Sequence, residues 1–325
     1  LGHQLHQVGS RSGGRGAGPH GGDGGLPGGG HGGSMPDPRH TGAVPAVPPP
    51  PVCHVGCELV LDAGSDGVTL LLQVAPARHR AEVRHESLGL EHGGQPLEAI
   101  VTEVPAPHGG RHHVVTVPEG EVRITYQAEV QALPDADDRG PADAIDADAH
   151  TYLRQSRYCP SDRLLGWATT ELRDLPADPE RPTAIASWVF ERIAYELGAS
   201  GPLDSAVDTL LTGRGVCRDF AHLTVALCRA LEIPARLAAV YAPGLSPMDF
   251  HAVAEARVEG RWEVVDATRL APRSSLVRIA TGRDAADTSF LTTLAGDAEL
   301  LASTVTAHVD GDLPADDHRT RMRLA

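Results

Sequence analysis

The sequence predicts an α+β protein in which a helical body is followed by an antiparallel sheet, with a small antiparallel β-sandwich ahead of both. Three observations predict it. From Val52 to about Gln131 short alternating apolar runs are separated by turn clusters. Stretches with helical periodicity then occupy the region from Ser161 to Glu232, and strand-like runs come after them. Helices first and strands after, without a repeating βα alternation, is the α+β order.

Taken along the chain, residues 1–51 are rich in Gly, Pro, His and Ser, with almost nothing apolar to bury, and are expected to form a disordered tail. The histidines there read as solvated tail. The first methionine is Met35, which marks an expected native start. The sandwich domain is assigned to 52–133, with strands over Glu58–Leu61, Val68–Val74, Ala81–Leu90, His113–Val117 and Val122–Val130. In the last of these Val122, Ile124, Tyr126, Ala128 and Val130 share one face. Residues 134–150, acidic and rich in Ala and Pro, read as a linker. The catalytic domain is assigned to 151–300. It contains a helix capped by Ser161, another opened by Asp178-Pro179, and a short one over about Leu203–Leu211. Strands Ala235–Tyr241, His251–Val258 and Trp262–Thr268 follow. Residues 301–325 are expected to give a final strand and a fraying tail.

Composition narrows the function. The 325 residues are 41% hydrophobic but only 4% aromatic, so the core is built from Ala, Val and Leu. A net charge of −15 argues against nucleic-acid and anionic-membrane partners. No apolar run is long enough for a membrane-spanning helix, and the N-terminus has no secretory pattern. Five cysteines, an odd number, fit free thiols in a reducing cytoplasm. Cys53 and Cys57, four apart with no second Cys/His pair nearby, are a weak metal signal. No EF-hand pattern occurs, so no metal and no cofactor is expected.

The stretch carrying most chemical information is Thr212 to Leu223. Gly213 and Gly215 permit a tight turn, and the chain then runs from Cys217 to Glu232 without Gly or Pro, as a helix would. A thiol at the start of a helix meets free N–H groups and the positive end of the helix dipole, which favour the thiolate. Cys228 lies mid-helix among Val225, Leu227 and Leu231 and reads as packing.

A cysteine nucleophile needs a base, and the base needs an acceptor to orient it. His251 opens one strand and Asp266 lies near the end of the next, with Glu259-Gly260 at the turn between them. A two-residue loop sets Val258 opposite Arg261 and Val253 opposite Asp266, which leaves imidazole and carboxylate on a bridgeable diagonal. A one-residue slip would remove that relation. Each residue also has a plainer reading: His251 as a strand-edge histidine, Asp266 as a strand end, Trp262 as core. His222, five residues past Cys217 on the same helix, is about 140° round from it and cannot touch the thiol directly.

Together the run Gly213 to Ala221, a histidine opening a strand, and Trp262-Glu263-Val264-Val265-Asp266-Ala267-Thr268 resemble the core of the bacterial transglutaminase-like superfamily, over about Thr151 to Leu270. Tyr158 to Asp162 and the β domain are similar to the N-terminal part of such members. The resemblance implies a papain-like core with Cys217 as nucleophile, His251 as base and Asp266 as its orienter. It further implies an acyl-thioester enzyme acting on protein or peptide amides, either a peptidase or amidase or a glutamine acyltransferase. Hydrolysis is preferred because no feature marks an amine site. The rival expectation is an inactive peptide-binding module that keeps the fold.

Overall fold

A computed structural model describes residues 52–133 and 147–324; the tail 1–51 and the acidic stretch 134–146 lie outside the described residues. Alternation along β1 (Val52–Ala63) buries Cys53, Val55, Cys57, Leu59 and Leu61 on one face. It is followed by β2 (Val68–Leu72), β3 (Ala81–His92), β4 (Gln95–Pro96), β5 (Thr102–Pro105), β6 (Arg111–Val117) and β7 (Gly120–Ala132). The chain continues with α1 (Ala147–Thr151), α2 (Ser161–Glu171), α3 (Arg181–Arg192), β8 (Ala194–Tyr195), α4 (Ala206–Thr212), β9 (Arg214–Gly215) and α5 (Cys217–Ala230). The last strands are β10 (Ala235–Tyr241), β11 (His251–Val258), β12 (Arg261–Val265), β13 (Val277–Gly282), β14 (Leu291–Ala295) and β15 (Ala298–Val309).

Two antiparallel sheets, ordered β15-β1-β7-β3-β4 and β14-β2-β6-β5, share a core to which β1, β2, β6 and β7 contribute their alternate residues. This is the β-sandwich that the alternation predicts. Its outer strands come from the far end of the chain, since β15 pairs with β1 and β14 with β2. Tyr241, Val277, Ile279 and Ala280 belong to the same buried cluster, so the sandwich rests directly on the sheet that carries the site. That third sheet is antiparallel, ordered β12-β11-β10-β13. The α5 helix packs against it through Ala254 and Ala256, surrounded by residues of α2, α3 and α4. No helix among the described residues is long and apolar enough to cross a membrane.

Several boundaries differ from expectation for local reasons. Ser161 is the first helical residue and not the cap, because Pro160 takes the cap position and its carbonyl accepts the Arg163 N–H at 3.0 Å. The helix expected at Asp178-Pro179 begins at Arg181, where Pro182 supplies a helical φ in the first turn. Residues 147–150, placed in the linker from sequence, are helical, as part of α1. The residues after β15 do not fray. The buried Arg273 draws them in: Asp316 accepts its backbone N–H at 2.8 Å and its Nε and Nη2 at 2.9 and 2.8 Å. The Val264 N–H then donates to the Met322 carbonyl at 2.9 Å.

Candidate active site

The glycine turn is built for the helix it leads into. Gly213 ends α4 in the left-handed region at φ +67, and Gly215 leaves room for a carboxylate. That carboxylate is Asp219, fully buried at the third position of α5, whose Oδ2 accepts the Val216 N–H at 2.8 Å. Its Oδ1 receives the Arg218 guanidinium at 3.1 Å. The first turn of α5 is thereby closed, and Cys217 stands at its first residue, half-buried, while the other four cysteines are fully buried.

The hairpin of β11 and β12 adopts the anticipated register, with Val258 opposite Arg261 and Ala254 opposite Val265. Glu259 and Gly260 both take positive φ, at 48 and 81, as a two-residue hairpin turn with matched twist requires. Continuing the ladder brings Asp266 to the His251 side chain. His251 Nε2 lies 3.5 Å from Asp266 Oδ2, and neither side chain is exposed. The separation is that of an ion pair without full hydrogen-bond geometry. Asp266 is fixed through its other oxygen, which accepts the Thr268 N–H and hydroxyl, both at 2.8 Å. The Thr268 hydroxyl is also 3.4 Å from His251 Nε2.

With Nε2 turned to Asp266 and Thr268, Nδ1 is the ring nitrogen left for the thiol. It is buried and has no hydrogen-bond partner. Cys217 and His251 line the same cavity, and the thiol is among the groups that raise the imidazole. Burial alone would lower the imidazole pKa; Asp266 and then Cys217 outweigh it and hold the ring up at about 10. Burial would likewise raise the Asp266 carboxyl, yet His251 and Thr268 keep it below the usual range. The arrangement favours imidazolium at neutral pH.

Sequence reasoning missed one neighbour of the thiol. The parallel bridge of β8 and β9 sets Tyr195 opposite Gly215 and carries its phenol to the tip of α5. There its ring packs on Phe220, with centroids 5.7 Å apart. Burial first, then the thiol, push the phenol up to about 12. The only available signal was a tyrosine in a short extended run after a helix, which does not reveal its partner. Conversely, His222 is engaged elsewhere: its Nε2 accepts the Ala285 N–H at 3.1 Å, and its ring stacks on Tyr158 at 5.2 Å.

A half-buried cysteine at a helix tip, an imidazole held charged beside it, and a buried carboxylate behind the imidazole, on a helix packed against an antiparallel sheet, define the thiol-dependent enzyme class of papain-like architecture. The sequence profile of the transglutaminase-like superfamily matches residues 165–267, which include Cys217, His251 and Asp266. A crystal structure of a candidate cysteine protease from Cytophaga hutchinsonii is 31% identical with a TM-score of 0.73, covering 83% of this chain and 96% of that one. The chain belongs to the transglutaminase-like superfamily. The periplasmic domain of TgpA from Pseudomonas aeruginosa, bound to ethylmercury, is 21% identical with a TM-score of 0.36, covering 69% of this chain and 91% of that domain. An uncharacterised protein of Mycobacterium leprae is 40% identical over 78 residues, 24% of this chain and 26% of that protein. The match thus spans about a quarter of that relative's length.

Proposed function

We propose that the protein is a thiol-dependent amide-bond enzyme working through an acyl-thioester on Cys217, with hydrolysis as its reaction. The observation that carries this reading is the stacking of charge behind the thiol: His251, buried beside Cys217, has its far nitrogen 3.5 Å from the equally buried Asp266. In the first half-reaction the Cys217 sulfur bonds to the carbonyl carbon, and its proton rests on His251 Nδ1. The C–N bond then breaks as that proton passes to the departing amine. In the second half-reaction water gives a proton to His251 and attacks the thioester; the C–S bond breaks, and the proton returns to sulfur. Asp266 and Thr268 stabilise the imidazolium and fix the ring.

The Cys217 N–H, at the tip of α5, is the natural donor to the oxyanion. The 31%-identical Cytophaga relative, described as a candidate cysteine protease, supports hydrolysis over acyl transfer to an amine. The test is a glutamine-containing peptide incubated with and without a primary amine, following ammonia, amine incorporation and backbone cleavage together. Cleavage or amide hydrolysis that is lost in Cys217→Ala supports the reading. Amine incorporation in preference to hydrolysis assigns an acyltransferase instead.

A further inference from the structure

The thiol opens onto a cavity of about 450 Å³, within the range of small-ligand pockets of roughly 300–1,000 Å³. It exists because two small residues face each other where strands normally carry larger ones: Ala239 of β10 pairs with Ala252 of β11, one step from the His251 pair. Leu237 extends the floor along β10, and Phe250 and Phe290 form one wall. These rings stack at 4.8 Å and 19°, and Phe250 also leans on Tyr241 at 5.6 Å, so the aromatic wall is pinned from behind.

The opposite lip is fixed as firmly. Asp284 accepts the Tyr158 N–H at 2.9 Å and the Ala286 N–H at 3.0 Å, and the Ala285 N–H donates to His222. His222 therefore holds the rim of this cavity. Preformed walls lose little freedom when occupied.

The lining has one charged side chain apart from His251, that of Arg218. Its Nε and Nη2 are committed to Asp219, Ser200 and the Gly201 carbonyl. Tyr158, Thr288 and Ser289 supply the remaining polar side chains; the Tyr158 hydroxyl already donates to the Pro202 carbonyl at 3.0 Å and the Ser289 hydroxyl to the Leu291 carbonyl at 2.7 Å. A charged group entering this space would exchange hydration for a guanidinium whose Nε and Nη2 are already engaged and an imidazolium that serves the thiol, whereas an apolar group would exchange water for aromatic and aliphatic walls.

We infer that this cavity is the subsite for the side chain of the residue whose carbonyl Cys217 attacks, and that it selects an uncharged apolar side chain of leucine or phenylalanine size. The inference rests on the reading of Cys217 as the nucleophile. It deepens that reading, since an apolar residue presents only its backbone amide for attack. The substituent on the carbon that bonds to sulfur lies beside the sulfur, and this cavity is the space there.

The test uses the full chain and the p-nitrophenyl esters of N-acetyl-glycine, -leucine, -phenylalanine, -glutamine and -aspartate. Acylation forms the S–C bond and releases p-nitrophenolate, read as a burst; iodoacetamide alkylation of Cys217 is measured alongside. The expected result is burst rates for leucine and phenylalanine at least about 100-fold above glycine and aspartate, since even one methylene is worth roughly 10–200-fold in an apolar pocket. Ala239→Leu, which fills the floor, should erase that preference, with a thermal melt showing that the variant is folded. Phe290→Ala, in the outer wall, should cut the phenylalanine advantage about tenfold, which covers the case of Ala239→Leu failing to fold. Equal bursts from all esters, or the fastest from aspartate or glutamine, overturn the subsite but leave the nucleophile standing. No burst from any ester, with Cys217 still alkylated, overturns the nucleophile reading and the subsite with it.

Discussion

Replacing Gly215 by alanine tests how the turn builds the site. A Cβ there would lie 2.7 Å from Asp219 Cβ and 2.9 Å from its Oδ2. Asp219 is fully buried, so the side chain has no open direction in which to retreat. Either the backbone shifts or the carboxylate surrenders the Val216 N–H that it holds at 2.8 Å. Losing a hydrogen bond to a charged group costs roughly 1.5–3 kcal/mol and overpacking roughly 1–3 kcal/mol, so the substitution should cost at least about 2 kcal/mol by either route and up to about 6 kcal/mol where both occur. Gly213→Ala is the internal control. It meets nothing within 4 Å and suffers only from its φ of +67, a penalty of about 1–2 kcal/mol. At about 2–4 °C per kcal/mol, thermal melts should separate the two, with Gly215→Ala the lower. Because Asp219 closes the turn on which Cys217 stands, Gly215→Ala should also slow iodoacetamide alkylation of Cys217 at a temperature where the variant is folded. Equal melting temperatures, or a larger loss in Gly213→Ala, would refute the close-approach argument.

Native-state alkylation mapped by mass spectrometry should modify Cys217 alone, because burial pushes Cys53 and Cys57 up to about 11 and Cys159 and Cys228 up to about 12. A second cysteine labelled as fast in the folded protein would contradict this. Glu255 is fully buried between Arg236, at 2.8 Å, and Arg278, so Glu255→Ala should cost about 3–5 kcal/mol in urea unfolding at pH 7 by stranding two guanidinium groups. Burial would raise that carboxyl, but the two arginines hold it down at about 2 against an ordinary 4.5. The stability it confers is therefore present above about pH 4.5 and lost as pH falls through 2, and the gap between variant and wild type should close over that window. Asp316→Ala should free the residues after β15 from Arg273, costing about 2–4 kcal/mol and exposing the C-terminal segment to limited proteolysis.

Much of the site was legible because its determinants are local. The glycine turn, the uninterrupted run after it and the two-residue Glu259-Gly260 loop each fix backbone over a few residues, and the loop alone sets the register that joins His251 to Asp266. What the sequence hid depends on distant pairing. Tyr195 reaches Cys217 through a two-residue parallel bridge too short to leave a periodic signal. β14 and β15 close a sandwich that starts more than two hundred residues earlier, and Asp316 is ordered only because a buried arginine waits for it. The cavity beside the thiol owes its volume to the Ala239–Ala252 pair, and alanines read as ordinary core until the strands are aligned. The misplaced starts of α2 and α3 share one cause, since Pro160 and Pro182 shift the first turn by a residue or two.

The central claim is that His251, held charged by Asp266, sets the state of the Cys217 sulfur. Its most direct test is the pH dependence of Cys217 alkylation in the wild type, His251→Ala and Asp266→Asn. The imidazole is raised to about 10, so the imidazolium partner persists across neutral pH and is lost only as pH climbs through that value. The account predicts that at neutral pH the wild type is alkylated much faster than His251→Ala, with Asp266→Asn between the two, and that the gap closes as pH climbs toward about 10. Superimposable profiles for wild type and His251→Ala would contradict it.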